Sequence, residues 1–231
     1  MEFVKAQTNG NDFLLFNEDP EKFNKESLIK LADRRFGIGC DQLIFVQQKS
    51  GKYVTTFFNT DGSYANMCGN GACAVTKYIY DVLGNKSENI ELFIDNRSYK
   101  VSINLDLDFV SVIFDLPRVQ NNIITTGNKH IIKDIPEINN IKSISKAYPE
   151  CNIHFIKILP NNKIRVKTFE RGAGWTKACG TGAVAVGFYS GLKGKIEICH
   201  DGGISFVEAF EDHIKFSAKP RLVFKGMLYD Y

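Results

Sequence analysis

FNTDGSYANMCGNGACAV, residues 58–75, and FERGAGWTKACGTGAVAV, residues 169–186, align without a gap. Each has a phenylalanine ten residues before its central cysteine, Cys68 or Cys179, and an aromatic residue four before it. Both then read Cys-Gly-x-Gly-Ala-x-Ala-Val. A second pair, GNDFLL at 10–15 and GNKHII at 127–132, repeats at nearly the same separation and in the same order. Two matches in one order point to a duplicated domain.

Outward from these segments the chain reads as mixed α/β with much strand. Residues 2–5 and 12–16 predict a hairpin turning at Asn9-Gly10, and the apolar spacing over 20–34 predicts a helix. Strands follow at 42–46 and 53–58, then a turn-rich stretch, then a helix from about 68 to 82 that Gly84 ends. Residues 90–115 read as successive strands, and Pro117 marks a crossover into the second half. That half has strands near 123–133, a polar segment at 134–147 with no assigned element, strands at 152–158 and 163–169, a helix near 179–191, and strands to the end.

Length and composition narrow the function. The chain has 231 residues, 44% of them hydrophobic and 24% charged, which fits a soluble globular protein and excludes wholesale disorder. The 29 basic and 26 acidic side chains leave a net charge of +3 without a basic block, so neither nucleic acid nor an anionic membrane is an expected partner. The N-terminus has no signal-peptide pattern and no apolar run is long enough to span a bilayer, which makes the cytoplasm the expected location. The six cysteines (40, 68, 73, 151, 179 and 199) show no C-x-x-C and no zinc-type spacing, so no metal is expected.

The twin element carries chemistry. Each cysteine sits after a strand and a turn at the start of an apolar helix, where free N–H groups and the helix dipole favour an anion. The thiol pKa is therefore expected to fall from about 8.5 toward neutrality. The glycines let backbone N–H groups approach a ligand, and the lack of Gly-Lys-Ser/Thr favours a carboxylate over a phosphate. Two such domains facing each other put two sulfurs on one ligand. A thiolate on one side and a thiol on the other would invert a carbon by removing and returning a proton.

The chain resembles the diaminopimelate epimerase family, cofactor-independent isomerases of lysine and peptidoglycan precursor biosynthesis. The resemblance rests on Gly10-Asn11-Asp12-Phe13, Gly37-Ile38-Gly39-Cys40-Asp41-Gln42, the two cysteine segments, Gly127-Asn128-Lys129-His130 and Asn152-Ile153-His154-Phe155. It implies two similar domains, each a curved sheet wrapped around a central helix, with the active site in the cleft between them. The first domain would hold residues 1–117 and a returning C-terminal strand at about 221–231, and the second 118–220. It implies Cys68 and Cys179 as the catalytic bases, with His130 and Glu170 polarising the reacting centre. Asn11, Asn59, Asn128, Asn152, Glu170 and Arg171 would hold the distal end of the substrate, with Gln42 nearby. The backbones of Gly69, Asn70, Gly180 and Thr181 would cradle the reacting carboxylate. It further implies LL-2,6-diaminopimelate as substrate, a homodimer, no cofactor and no metal. A racemase of another amino acid in the same superfamily is the alternative. A non-catalytic binding protein would be expected to lack one cysteine, and a thiol hydrolase has no use for the second. His154, His200 and His213 carry no assigned role. The chain departs from the family pattern at Cys73, where Arg is usual, and at Trp175, where an acid is usual.

Overall fold

The computed structural model describes residues 1–229; residues 230–231 of the expected C-terminal segment lie outside the described residues. The hairpin forms as expected, Glu2–Thr8 against Asn11–Phe16, with Asn9 and Gly10 at positive φ in the turn. The helix expected over 20–34 is shorter and broken. Pro20–Lys22 makes a single 3-10 turn, and α1 runs Lys25–Ala32 with the Asn24 side chain capping the Ser27 N–H at 2.8 Å. An asparagine cap fixes the start that the apolar spacing alone blurs. The helix starting at Cys68 is α2, Gly69–Asp81. The unassigned polar segment is a 3-10 turn, Ile135–Asn140, followed by α3, Ile141–Ala147; α4 is Gly180–Ser190, closed by Gly191 at φ 64°. Segment 135–147 gives little helical signal in the sequence because only part of one face is apolar, with Ile144 its one buried helix residue.

Among the described residues the strands form one 18-stranded sheet whose pairing repeats. In the first half, Asn11–Phe16 lies parallel to Gln42–Lys49, which lies antiparallel to Lys52–Asn59, which lies parallel to Asn89–Ile94. In the second half the same sequence of pairings joins Lys129–Asp134, Asn152–Leu159, Lys163–Glu170 and Lys195–His200. Each parallel step needs a crossover. In both halves the first crossover carries an outer helix, α1 or α3, and the second carries α2 or α4. The halves join where Phe109–Asp115 pairs with His213–Ala218. Each half then passes its last strand to the other. Arg118–Gln120 pairs with Ile123–Thr125, and Pro220–Met227 returns to pair with Glu2–Thr8.

The sheet curls around α2 and α4. Both begin with a buried run of Gly, Ala and Val; α4 is apolar on nearly every side, the pattern of a buried helix, while α2 turns Lys77 and Asp81 toward solvent. Gly180 to Gly187 are all buried, as are Gly69 to Thr76. Both belong to one continuous apolar core with the strands of both halves, while α1 and α3 cover smaller cores on the outer face. The second glycine of each Cys-Gly-x-Gly element is a packing requirement. A Cβ at Gly71 would lie 2.6 Å from the Phe57 ring, and one at Gly182 would lie 2.2 Å from the His154 ring. Gly71→Ala should therefore cost about 1–3 kcal/mol despite alanine's better helix propensity. Urea unfolding checks this, and a variant as stable as the parent would show that the sheet yields at no cost.

Candidate active site

Cys68 and Cys179 occupy the same place in the two halves: each is the residue immediately before its buried helix, in extended backbone. The first turns of α2 and α4 touch. A Cβ on Gly69 would lie 3.3 Å from the Gly180 Cα, and one on Gly180 would lie 2.7 Å from the Asn70 nitrogen. The first glycine of each element therefore lets two helix N-termini meet, and both cysteines open onto one cavity of about 850 Å³. Two threonines brace this junction symmetrically. Thr8 Oγ1 donates to the Asn70 carbonyl at 3.0 Å, and Thr126 Oγ1 donates to the Thr181 carbonyl at 3.1 Å. Two amides tie the halves together across it: Asn128 Nδ2 donates to the Met67 carbonyl at 3.0 Å, and Asn70 Nδ2 to the Ala178 carbonyl at 3.5 Å.

The cavity wall gathers Asn11, Gln42, Asn59, Cys68, Gly69, Asn128, Asn152, Glu170, Arg171, Cys179, Gly180 and Thr181. Asn70 and His130 stand behind it, both enclosed. The residues come in repeat-related pairs: Asn11 with Asn128, Gln42 with Asn152, Asn59 with Glu170, Asn70 with Thr181. Register supports the second pair, since Gln42 lies beside Phe13 as Asn152 lies beside His130. Polar contacts fix the amides. Asn152 Oδ1 accepts the Arg171 N–H at 3.0 Å, Asn59 Nδ2 donates to Ser63 Oγ at 3.1 Å, and Thr176 Oγ1 donates to Glu170 Oε1 at 2.6 Å.

One wall residue outside the expected set is Asp41. It accepts from Asn11 Nδ2 at 3.0 Å and from Arg34 at 2.8 Å. Arg34 also pairs with Asp12, which burial would push up but which Arg34 and Lys5 hold down to about 2. Asp41 thus orients Asn11 from an ion network on the outer face; the Gly-x-Gly-x-Asp-Gln stretch held the signal, with its aspartate beside Gln42. Cys73 is enclosed in the core and Trp175 packs tilted against Phe155 and edge-on against Phe169, with ring centroids 5.9 and 5.4 Å apart, so neither departure from the family pattern lines the cavity.

The thiols overturn one expectation. Burial pushes Cys68 up to about 12 although the Gly71 N–H reaches its sulfur at 3.3 Å, and burial with the neighbouring Glu170 carboxyl raises Cys179 well above its usual value. The helix N-terminus favours the thiolate, but removing the charged form from water outweighs it. Glu170 is raised as well, by burial, against the hydrogen bonds of Thr176 and Cys179. The free site therefore holds protonated sulfurs in an enclosure ready to favour a proton-bearing acid.

Three enclosed side chains could act together as metal ligands: His130, His154 and Cys179, with one ligand atom of each within 4.8 Å of the others. His130 Nδ1 is already 2.9 Å from His154 Nε2, and His154 Nδ1 is 3.1 Å from Thr168 Oγ1. No helix of the described residues is long and apolar enough to cross a membrane.

The diaminopimelate epimerase family model matches residues 3–112. The chain is 31% identical to a diaminopimelate epimerase of Methanocaldococcus jannaschii over 99% of this chain and 98% of that protein. It is 34% identical to one from Pelagibacter ubique over 86% and 85% of the two. Among solved structures, a predicted epimerase from Pseudomonas aeruginosa superposes with a TM-score of 0.77 at 9% identity, covering 100% of this chain and 99% of that one. A hydroxyproline epimerase from Agrobacterium vitis, with bound trans-4-hydroxy-L-proline, gives 0.71 at 12% identity over 98% and 91%. At these identities the structures share the fold.

The buried imidazoles make stability sensitive to acid. Burial lowers His130 to about 3, His200 to about 4, and His154 well below its usual value. An unfolded histidine binds its proton near pH 6.5, so the unfolded state holds more protons from there downward. The histidine contribution should be complete near pH 7 and be lost steadily between pH 6.5 and 4. Urea midpoints measured across that range check it, and a midpoint constant from pH 7 to 5 would contradict the enclosure of these rings.

Proposed function

Because the chain belongs to the diaminopimelate epimerase family, we propose that Cys68 and Cys179 are the two acid/base groups with which it converts LL-2,6-diaminopimelate to the meso form. The chain is an isomerase of that family, and the product serves lysine biosynthesis. One observation carries the assignment of the cysteines. They hold equivalent positions before two helices whose first residues touch, and both open onto a single cavity.

The chemistry follows from that arrangement. The two helix N-termini concentrate positive potential at one point, suited to the carboxylate of the reacting carbon, and the backbones of Gly69, Asn70, Gly180 and Thr181 form its cradle. One sulfur, as thiolate, takes the α-proton from one face. The other, as thiol, returns a proton to the opposite face, and the roles reverse in the reverse direction. Charge building on the carboxylate during this step is met by the same N–H groups in a water-poor enclosure. Glu170 acts electrostatically on both sulfurs and His130 clusters with the Cys179 sulfur, and the two would polarise the reacting centre. The distal ammonium and carboxylate find Glu170 and Arg171 with the amides of Asn11, Asn59, Asn128 and Asn152, and Gln42 beside Asn59. A carboxylate facing an ammonium and a guanidinium facing a carboxylate are the pairings a second amino-acid end demands. In this reading the domains are residues 1–117 with 221–231, and 118–220. The enzyme works as a cytoplasmic homodimer on a small-molecule substrate, without cofactor, metal, nucleic acid or membrane.

Enzyme incubated with LL-diaminopimelate in ²H₂O should yield the meso product with deuterium on one α-carbon, with no cofactor added. Cys68→Ala and Cys179→Ala should each lower turnover at least a hundredfold. A folded wild-type protein that leaves LL-diaminopimelate unchanged while racemising another amino acid would transfer the assignment to that substrate.

The raised thiol of Cys68 also sets a pH dependence. The reactive thiolate is the minor form of the free enzyme at neutral pH, so kcat/KM should climb with a slope near one from pH 6 to 8.5. A flat profile over that range would mean a thiolate already formed at pH 6.

A further inference from the structure

Three polar side chains stand in line behind the cavity wall, under the first turn of α4. Thr168 Oγ1 is 3.1 Å from His154 Nδ1, and His154 Nε2 is 2.9 Å from His130 Nδ1. Both rings are fully enclosed and Thr168 is 3% exposed. The chain ends at His130 Nε2, an enclosed atom without a hydrogen-bond partner. One nitrogen of each ring lies within 4.8 Å of the Cys179 sulfur.

The other half of the molecule serves as an internal control. By the repeat, Phe13 stands where His130 stands, Ile44 where His154 stands, and Phe57 where Thr168 stands. The register agrees: Ile44 faces Phe57 across its strand pair as His154 faces Thr168. Gly71 rests on Phe57 and Ile44, and Gly182 rests on the His154 ring. The fold is therefore satisfied by three apolar side chains at these positions. Buried polar groups cost stability unless each is hydrogen-bonded, so packing alone gives no reason for this chain to lie beneath Cys179 and not beneath Cys68.

We propose that His154 and Thr168 are positioning residues for the epimerisation, holding His130 in the tautomer with hydrogen on Nε2, so that the ring which clusters with His154 and the Cys179 sulfur keeps a neutral, unengaged N–H donor in that enclosure. This rests on reading Cys179 as one of the two acid/base groups. A hydrogen bond between two neutral imidazoles needs hydrogen on one facing nitrogen and a lone pair on the other, so the tautomers of the two rings are locked together. When the Thr168 hydroxyl donates to His154 Nδ1, His154 carries its hydrogen on Nε2 and donates to His130 Nδ1. The hydrogen of His130 then sits on Nε2. The opposite order leaves the hydroxyl hydrogen of Thr168 unmatched, away from the chemistry, and puts a lone pair at His130 Nε2. The first order leaves the one unmatched donor on His130, the ring that clusters with the Cys179 sulfur.

Neutrality matters to this role. Enclosure keeps both rings uncharged, with His130 and His200 adding to the effect at His154. A neutral donor favours the thiolate yet lets the sulfur take a proton back when its role reverses, which a fixed cation would oppose. The titratable groups facing Cys179 are Glu170 from the strand beside it, Cys68 from α2, and the two rings; the Thr181 hydroxyl lies 3.6 Å from its sulfur. No proton leaves the Thr168–His154–His130 chain in this scheme. The α-proton passes only between cysteine sulfur and substrate carbon.

Thr168→Val removes the hydroxyl at nearly constant shape, Thr168→Ser restores it, and His154→Leu removes the ring. Two measurements on the full-length, ligand-free protein avoid turnover. ¹⁵N NMR of labelled histidines reads the tautomers, and peptide-resolved iodoacetamide alkylation at pH 9 reads thiolate at Cys179 with Cys68 as internal reference. Wild-type protein should show Nε2–H on both His130 and His154. Thr168→Val should slow Cys179 alkylation about tenfold, the equivalent of one pH unit of thiolate, and leave Cys68 unchanged. It should also lower kcat about tenfold at an unchanged KM, with Thr168→Ser restoring each value. Nδ1–H on His130 in the wild type, or a Thr168→Val variant whose Cys179 reacts at the wild-type rate, overturns the proposal. If His154→Leu does not fold, the valine and serine pair decides. A protein that shows the expected tautomers but no epimerisation would count against the functional reading and leave this arrangement standing.

Discussion

The first turns of α2 and α4 touch through Gly69 and Gly180 with no side chain between them. The rest of the structure is arranged around that contact. Two helix N-termini brought this close repel through their like partial charges, an arrangement that pays only when an anion settles between them. Helices whose first turns are wholly buried inside a curled sheet hold the ends in place, and Thr8 and Thr126 fasten those turns to the chain beside them. The cysteines inherit their positions from the helices that they precede. Their distance from each other is thereby set by the backbone and owes little to the side chains around them.

Duplication builds the cavity and departures from duplication give it chemistry. Asn11 and Asn128 are the same residue used twice. Asn59 and Glu170 are not, and the exchange of amide for carboxyl places a proton-binding group on one side only. The exchange of Phe13, Ile44 and Phe57 for His130, His154 and Thr168 does the same beneath Cys179. An inversion treats the two faces of one carbon differently at any instant, and unequal neighbours give each sulfur its own tendency to hold the proton. The differences between repeats are therefore the positions most worth reading.

Much of this was legible in the residues. The twin Cys-Gly-x-Gly elements announced two helix starts in matched settings, and the Asn-Gly turn and alternating apolar runs announced the strands. The reason for the glycines was not legible. Reading them as room for a ligand misses that Gly71 makes way for Phe57 and Gly182 for His154, which only the packing of helix on sheet reveals. The thiol pKa was misjudged for a related reason. A helix start is visible in sequence, but the depth at which it is buried is not, and at Cys68 and Cys179 depth prevails. His154 was passed over because a histidine amid isoleucine and phenylalanine reads as core. Placed against Ile44 in the repeat, it stands out.

The exchanged strands carry a consequence for how the molecule comes into being. Glu2–Thr8 takes Pro220–Met227 as its neighbour, and the amino terminus and Leu228 exchange hydrogen bonds at 3.0 and 2.7 Å. A ribosome releases the first of these segments long before the second, on the order of ten seconds or more at ordinary elongation rates. Through that interval the newborn chain carries an unmatched sheet edge, the kind that invites pairing with a stranger. The opening half can finish assembling only once Pro220–Met227 has emerged, which ties its completion to a segment made long after its own strands.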